Sequence, residues 1–230
     1  MDKNVSLSHA ALRVHHDETL PVAALLAFAG GYLDAYSWIV HSTFANAQTA
    51  NLVLLWIHTT AGQWATALHY FPPLIAFVIG VIMASCLRRV AGSQAGPISL
   101  LIEIAFLVLV AILHNRLPDL AGTLGISFVA SMQAASFPRV EQWNYSSVMA
   151  TTNLRQAIEG LFVALSGSPE PRPFRRPSVF AAICASFGLG AALGAYVTVQ
   201  VPALTLGIPV ALLLIVLLIC EERAPESVAS

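Results

Sequence analysis

The sequence predicts an all-α integral membrane protein with six transmembrane helices and two re-entrant or short helical segments, arranged as an inverted repeat. Three observations indicate this fold. Of the 230 residues, 57% are hydrophobic and only 10% are charged, whereas a soluble domain carries about 25% charged residues. Long apolar segments recur along the chain, and one polar motif occurs twice. We therefore expect no separate soluble domain within these residues.

Six apolar segments are long enough to cross a membrane, which takes about 20 residues with a lower limit of about 17. They are predicted at Pro21 to Val40, Phe71 to Leu87, Pro97 to Leu113, Asp119 to Phe137, Ser178 to Val199 and Ala203 to Cys220. Two further segments, Ala45 to Ala61 and Val148 to Leu165, are ambiguous. The second contains Arg155, Gln156 and Glu159, which are costly against lipid.

The basic residues indicate how the two ambiguous segments lie. If both segments re-enter, only Arg116 is external and all other basic clusters are cytoplasmic, as the positive-inside rule requires. These clusters are Lys3 and Arg13, Arg88 and Arg89, Arg139, Arg172 to Arg176, and Arg223. If all eight segments span, one arginine cluster lies on the wrong face in either orientation. Six spans with cytoplasmic termini are therefore favoured, and eight spans in a parallel repeat are the alternative.

Each half has three spans, an odd number, so the second half crosses the membrane in the opposite orientation to the first. The predicted divisions are a cytoplasmic tail at 1–19, membrane repeats at 20–116 and 117–222, and a second cytoplasmic tail at 223–230. The re-entrant segments would then approach the midplane from opposite faces. Repeats of this kind hold their functional site where the halves meet.

The repeated motif places polar side chains inside apolar sequence. Its copies are Gly31-Tyr32-Leu33-Asp34-Ala35 with Thr49-Ala50-Asn51-Leu52, and Ser131-Met132-Gln133-Ala134-Ala135 with Thr151-Thr152-Asn153-Leu154. Asp34 lies about 20 Å along the first span. A carboxylate there costs roughly 2.5 to 3.5 kcal/mol and should face protein or water. It either contacts a solute or bonds the loop at 41–46, and Gln133 is its counterpart in the second half.

The motif also supplies the start of each ambiguous segment. Thr and Asn are good N-cap residues, and an inward helix N-terminus attracts anions or polar solutes. The alternative is a simple cap on a kinked helix. The candidate substrate-binding residues are Asp34, Thr49, Asn51, Gln133, Thr151, Asn153 and Arg155.

Three further features have a functional and a structural interpretation. Arg155 can contact an anion, or it can pair with Glu159 one turn away on the same helix. Glu103, inside an apolar span, is a candidate coupling group or an interhelical hydrogen-bonding group. Gly190 and Gly194 belong to a small-residue stripe that predicts close helix packing, either internal or at a homodimer seam.

At these motifs the sequence resembles the YoaK-like family of bacterial inner-membrane proteins, a domain of unknown function. The matching residues are Gly31, Asp34, Ala35, Phe44, Thr49, Asn51 and Leu54, then Gln133, Ala135, Thr151 and Arg155. The chain departs from the family pattern at Ala50, Ser131 and Ala134. The resemblance implies a multi-pass protein of the bacterial inner (plasma) membrane and supplies no function.

The sequence predicts a small-solute or anion transporter or channel whose site lies between the two repeats. The alternative is a scaffold, sensor or accessory subunit without transport. No nucleophile motif, phosphate-binding loop or metal-ligand spacing occurs, so we expect no enzyme, no cofactor and no metal site. The net charge of −1 argues against nucleic acid. The expected partners are the lipid bilayer, a small polar or anionic solute, and a second copy through the Gly190/Gly194 face.

Overall fold

The structure, a computed structural model, describes residues 18–113, 119–167 and 171–221. These residues are predominantly α-helical, which confirms the predicted helical class. The helices are α1 (Leu20–His41), α2 (Gln48–Thr60), α3 (Trp64–His69), α4 (Phe71–Ala91), α5 (Ala95–Leu113), α6 (Asp119–Ser136), α7 (Ala150–Leu165), α8 (Arg175–Gln200) and α9 (Gly207–Glu221). A two-stranded hairpin between α6 and α7 pairs β1 (Arg139–Val140) with β2 (Trp143–Asn144) in antiparallel register.

Several of these helices have the length and apolarity of membrane spans. Within the described residues three helical stretches qualify: Leu20–His41, Trp64–Leu113 and Arg175–Gln200. The second of these runs through α3, α4 and α5, and α9 is a shorter apolar helix. The two ambiguous segments form α2 and α7, with 13 and 16 residues, shorter than the about 20 residues of a full span. The apolar helices are those of a membrane protein.

The first helix of each half of the chain packs mainly on a helix of the other half. α1 packs mainly on α8, and α6 packs mainly on α4. α1 also contacts α9, α6 also contacts α5, and α5 contacts α9. When α1, α2, α4 and α5 are matched in order with α6, α7, α8 and α9, each of these contacts has its counterpart. The helix contacts therefore follow an internal two-fold pattern.

The small-residue stripe of α8 packs on α1 in the same chain. Gly190 lies against the carbonyl group of Phe28, and a Cβ atom added at Gly194 would lie 2.6 Å from the carbonyl oxygen of Tyr32. Close backbone approach of this kind requires glycine. The expected internal packing is therefore present. α1 of the same chain covers this face at Gly190 and Gly194, and the expected homodimer stays a prediction.

Two apolar clusters support the interior. The larger joins α1, α5, α6 and α9 and includes Leu26, Leu107 and Leu213, all fully buried. The smaller joins α1, the hairpin, α7 and α8 around Phe180 and Ile183. α1 belongs to both clusters, so the polar residues along α1 are held between two packed apolar regions.

Candidate functional site

The loops that precede α2 and α7 meet on α1 at Gly30. In the first loop, Asn46 donates a hydrogen bond from Nδ2 to the carbonyl oxygen of Gly30 at 3.0 Å. In the second loop, Ser147 approaches so closely that a Cβ atom added at Gly30 would lie 2.7 Å from its carbonyl oxygen. Corresponding loops of the two halves therefore contact one residue in the interior of α1.

Asp34, one turn beyond Gly30, faces the first loop. Its side chain is 7% exposed, and its Oδ1 accepts the backbone N–H of Asn46 at 2.7 Å. The neighbouring backbone N–H of Ala45 donates instead to the Ser37 hydroxyl, one turn further along α1, at 2.9 Å. The contact of Asp34 with its own loop, one of its two interpretations, is therefore present.

Asn51 and Asn153 hold the two loops in the same manner. Asn51 accepts the backbone N–H of Phe44 at 3.0 Å through Oδ1 and donates to the carbonyl oxygen of Phe44 at 2.7 Å through Nδ2. Asn153 makes the same pair of bonds with Ser146, at 3.3 and 2.6 Å. Both asparagines are buried. The repeated asparagine therefore fixes the backbone of the loop that enters each half.

The two threonines of the motif are exposed and do not cap their helices. Thr49 and Thr151 are exposed and lie in the first turns of α2 and α7. The N-cap residues are Ala47 and Met149, and neither cap uses a side-chain hydrogen bond. The expected capping role is therefore wrong, because the motif asparagines bond backwards to the loops instead of to the helix ends.

Gln133 lies beside the second loop. Its Oε1 accepts a hydrogen bond from the Ser147 hydroxyl at 3.4 Å. Its Nε2 and the Oδ1 of Asn46 are buried and have no hydrogen-bond partner in the part of the chain that the structure describes. Most buried polar atoms are paired, so the open donor on Gln133 and the open acceptor on Asn46 are exceptions, and they make this region the candidate polar site.

The structure does not bring Arg155 to this site. Its side chain is 70% exposed and lies 3.7 Å from Glu159, one turn along α7. Glu159 also lies 3.8 Å from Arg176 at the start of α8. The local ion pair, the structural interpretation of Arg155, is therefore observed. No arginine side chain in 18–113, 119–167 or 171–221 is buried.

Glu103 is fully buried on α5, and neither of its carboxylate oxygens has a hydrogen-bond partner in the described part of the chain. Those same residues contain no group of three His, Cys, Asp or Glu side chains that could hold a metal ion.

Sequence reasoning did not find Gly30, Asn46 and Ser147 as site residues. Asn46 lies in the loop that was expected to bond Asp34. Its amide, between the two segments of the motif, was the one feature of the sequence that could have identified it as a site residue. Gly30 and Ser147 carry no local signal, because their contact joins residues from opposite halves of the chain.

Comparison with known proteins gives a family and no assigned activity. No curated protein and no solved structure matches the chain. A family model described as a protein of unknown function matches residues 22–219, which agrees with the expected domain of unknown function; the YoaK-like designation stays an expectation. The chain belongs to the family described as "Protein of unknown function (DUF1275)".

Proposed function

We propose that this protein is a transporter or channel for a small polar solute, with its binding site where the two loops meet on α1. The observation that carries the proposal is the contact of both loops with Gly30, beside the unpaired Asn46 Oδ1 and Gln133 Nε2. Transporters built from repeats bind their substrates near the midplane, between the repeats. Asp34, Asn46, Gln133 and Ser147 would contact the solute, and Asn51 and Asn153 would hold the loops.

The side chains at this site favour a neutral or cationic polar solute over an anion. The carboxylate of Asp34 is buried there, whereas Arg155, the expected anion contact, is exposed and paired with Glu159. An open acceptor on Asn46 and an open donor on Gln133 suit a molecule that carries both kinds of group.

We propose six spans in inverted halves, in the bacterial inner membrane with cytoplasmic termini. The first loop follows the end of α1 at His41. The second loop follows the hairpin, where Arg139 pairs with Glu18 at 2.7 Å, beside the start of α1. The loops therefore approach Gly30 from opposite ends of α1, as re-entry from opposite membrane faces requires. The arginine distribution along the chain supports the same orientation.

The solute site is tested with Asp34→Asn in purified protein. Thermal unfolding is followed with a panel of amino acids, polyols, sugars and primary amines. A bound solute stabilises the folded protein by RT ln(1 + [L]/Kd), so wild type should respond to at least one probe and Asp34→Asn should lose that response. Glu159→Gln is the matched control, because Glu159 is a half-exposed carboxylate outside the site. A response of equal size in Asp34→Asn would remove Asp34 from the site.

A scaffold, sensor or accessory subunit is the second candidate. It is favoured by the hydrogen bonds through which Asp34, Asn51 and Asn153 hold their own loops. Under this alternative these residues only stabilise the bundle. It predicts that no probe in the panel stabilises the protein, and that Asp34→Asn changes the melting temperature without changing any growth or uptake phenotype.

A further inference from the structure

Glu103 requires a partner that the described residues do not provide. It is fully buried on α5 and both carboxylate oxygens lack hydrogen bonds in the described part of the chain. A buried carboxylate is either neutralised or paired, because an isolated charge away from water is very costly. The surroundings of Glu103 therefore decide what neutralises it.

Two glycine contacts define how α5 lies on α6. Gly96 on α5 faces the ring of Phe137, the residue after the end of α6, and Gly125 on α6 faces the ring of Phe106 on α5. Residue numbers rise along one helix as they fall along the other, so the two helices are antiparallel. This register gives the level of every residue in the contact.

The register places Ser99 on α5 at the same level as Gln133 on α6. Ser99 lies about one turn after Gly96 on α5, and Gln133 lies about one turn before Phe137 on α6. Ser99 belongs to the buried face of α5, and so does Glu103 one turn further. The Ser99 hydroxyl and the Gln133 Nε2 both lack partners in the described part of the chain. Three fully buried polar side chains with unpaired atoms therefore lie at neighbouring levels of the α5–α6 pair.

We propose that Glu103, Ser99 and Gln133 bind a sodium ion between α5 and α6. Carboxylate, hydroxyl and amide oxygens are hard ligands of the kind that bind hard cations, and one carboxylate balances one positive charge. Rotating the Gln133 amide by half a turn keeps its contact with Ser147, because a hydroxyl both donates and accepts. The rotation turns Oε1 to the open side as a third ligand, so the Gln133 Nε2 is open to a solute only when the ion is absent.

The sodium site lies at the level of Asp34. Gly122 on α6 faces the His41 ring at the end of α1, and the second loop next to Gln133 reaches Gly30. α1 and α6 are antiparallel, and in their register Asp34 lies at the level of residue 129 on α6. In the register of α5 on α6, Glu103 lies at this same level. The ion and the proposed solute would thus compete for Gln133 within one layer of the bundle, and ion binding requires no solute.

The test is ion-dependent thermal unfolding of the purified full-length protein, without any solute. Sodium, potassium and choline chlorides are compared at constant ionic strength. We expect a saturable rise in melting temperature with sodium only. Glu103→Gln should abolish the rise, and Ser99→Ala should raise the sodium concentration for half of the effect about five-fold, as the loss of one polar contact implies.

Ser85→Ala is the matched control, because Ser85 bonds the carbonyl of Val81 within α4 and its loss should leave the sodium response unchanged. An equal rise with choline, no rise in wild type, or a wild-type sodium response in Glu103→Gln would overturn the proposal. Since no solute is present, the outcome is independent of the solute screen. A failed screen with an intact sodium response would reject the transport proposal and keep the ion site.

Discussion

The carbonyl oxygen of Ser147 lies in close contact with Gly30, and a Cβ atom added at Gly30 would lie 2.7 Å from that oxygen. Gly30→Ala should therefore push the second loop away from α1. We expect a loss of about 1 to 3 kcal/mol in unfolding free energy, as overpacking produces, together with loss of any solute response. Thermal or denaturant unfolding of the purified protein measures the first effect.

Gly188→Ala is the control for that substitution. Gly188 lies in the interior of α8, and nothing lies within 4 Å of a Cβ added there. Alanine is favoured over glycine in a helix by about 0.5 to 1 kcal/mol, so this variant should be as stable as wild type or more so. Equal behaviour of the two variants would mean that the Gly30 contact is not tight.

Asn51→Ala and Asn153→Ala should weaken the protein by similar amounts. Each substitution removes two half-buried hydrogen bonds to the loop backbone, and each bond contributes about 0.5 to 1.5 kcal/mol. Asn144→Ala is the control, because Asn144 is exposed at the hairpin. A melting-temperature series of the three variants checks this, and a large effect at one motif asparagine only would contradict the equivalence of the loops.

An ion pair between the hairpin and α8 should contribute to stability. Glu141 pairs with the guanidinium of Arg175 at the start of α8. Both side chains are partly exposed, so we expect Glu141→Arg to cost about 0.2 to 1 kcal/mol. The double variant Glu141→Arg with Arg175→Glu should recover most of that loss at low salt and show less recovery at high salt. A double-mutant cycle of unfolding free energies measures the coupling, and additive losses would show that the pair contributes nothing.

In the inverted arrangement, positions 63 and 166 lie on opposite sides of the membrane. The three native cysteines Cys86, Cys184 and Cys220 are replaced, and single cysteines are placed at Gln63 and Ser166, which are exposed. In intact cells a membrane-impermeant thiol reagent should label position 63 and leave position 166 unlabelled. Permeabilised cells, in which both positions should react, are the control. Labelling of both or neither in intact cells would support eight spans in a parallel repeat.

Short-range patterns in the sequence predicted the helical membrane class and the start of each half. Apolar runs predicted α1, α4, α5 and α8 within a few residues, because continuous apolar sequence has few alternatives to a membrane helix. The repeated asparagine was also visible, although its role was not. Asn51 and Asn153 bond backwards over seven residues, and helix-start statistics predict forward bonds to the helix.

The rest of the site depends on contacts between distant parts of the chain. Gly30 and Ser147 belong to opposite halves, so no local window contains both. Arg155 had two interpretations, an anion contact and a pair with Glu159, and the structure shows the exposed pair, with Arg176 next to Glu159. Which side of a short helix is buried depends on its neighbours, and composition alone does not give that orientation.

The exchanged packing of the halves has a consequence for synthesis. α1 is synthesised before α8, its main neighbour, and the six helices α2 to α7 lie between the two along the chain. Until α8 is inserted, the nascent α1 must hold a carboxylate at Asp34 and bare glycine surfaces without their final cover. We expect the ribosome-bound chain to rely on the insertion machinery or on a membrane chaperone during this interval. Truncated chains that end before Arg175 should accordingly be degraded quickly.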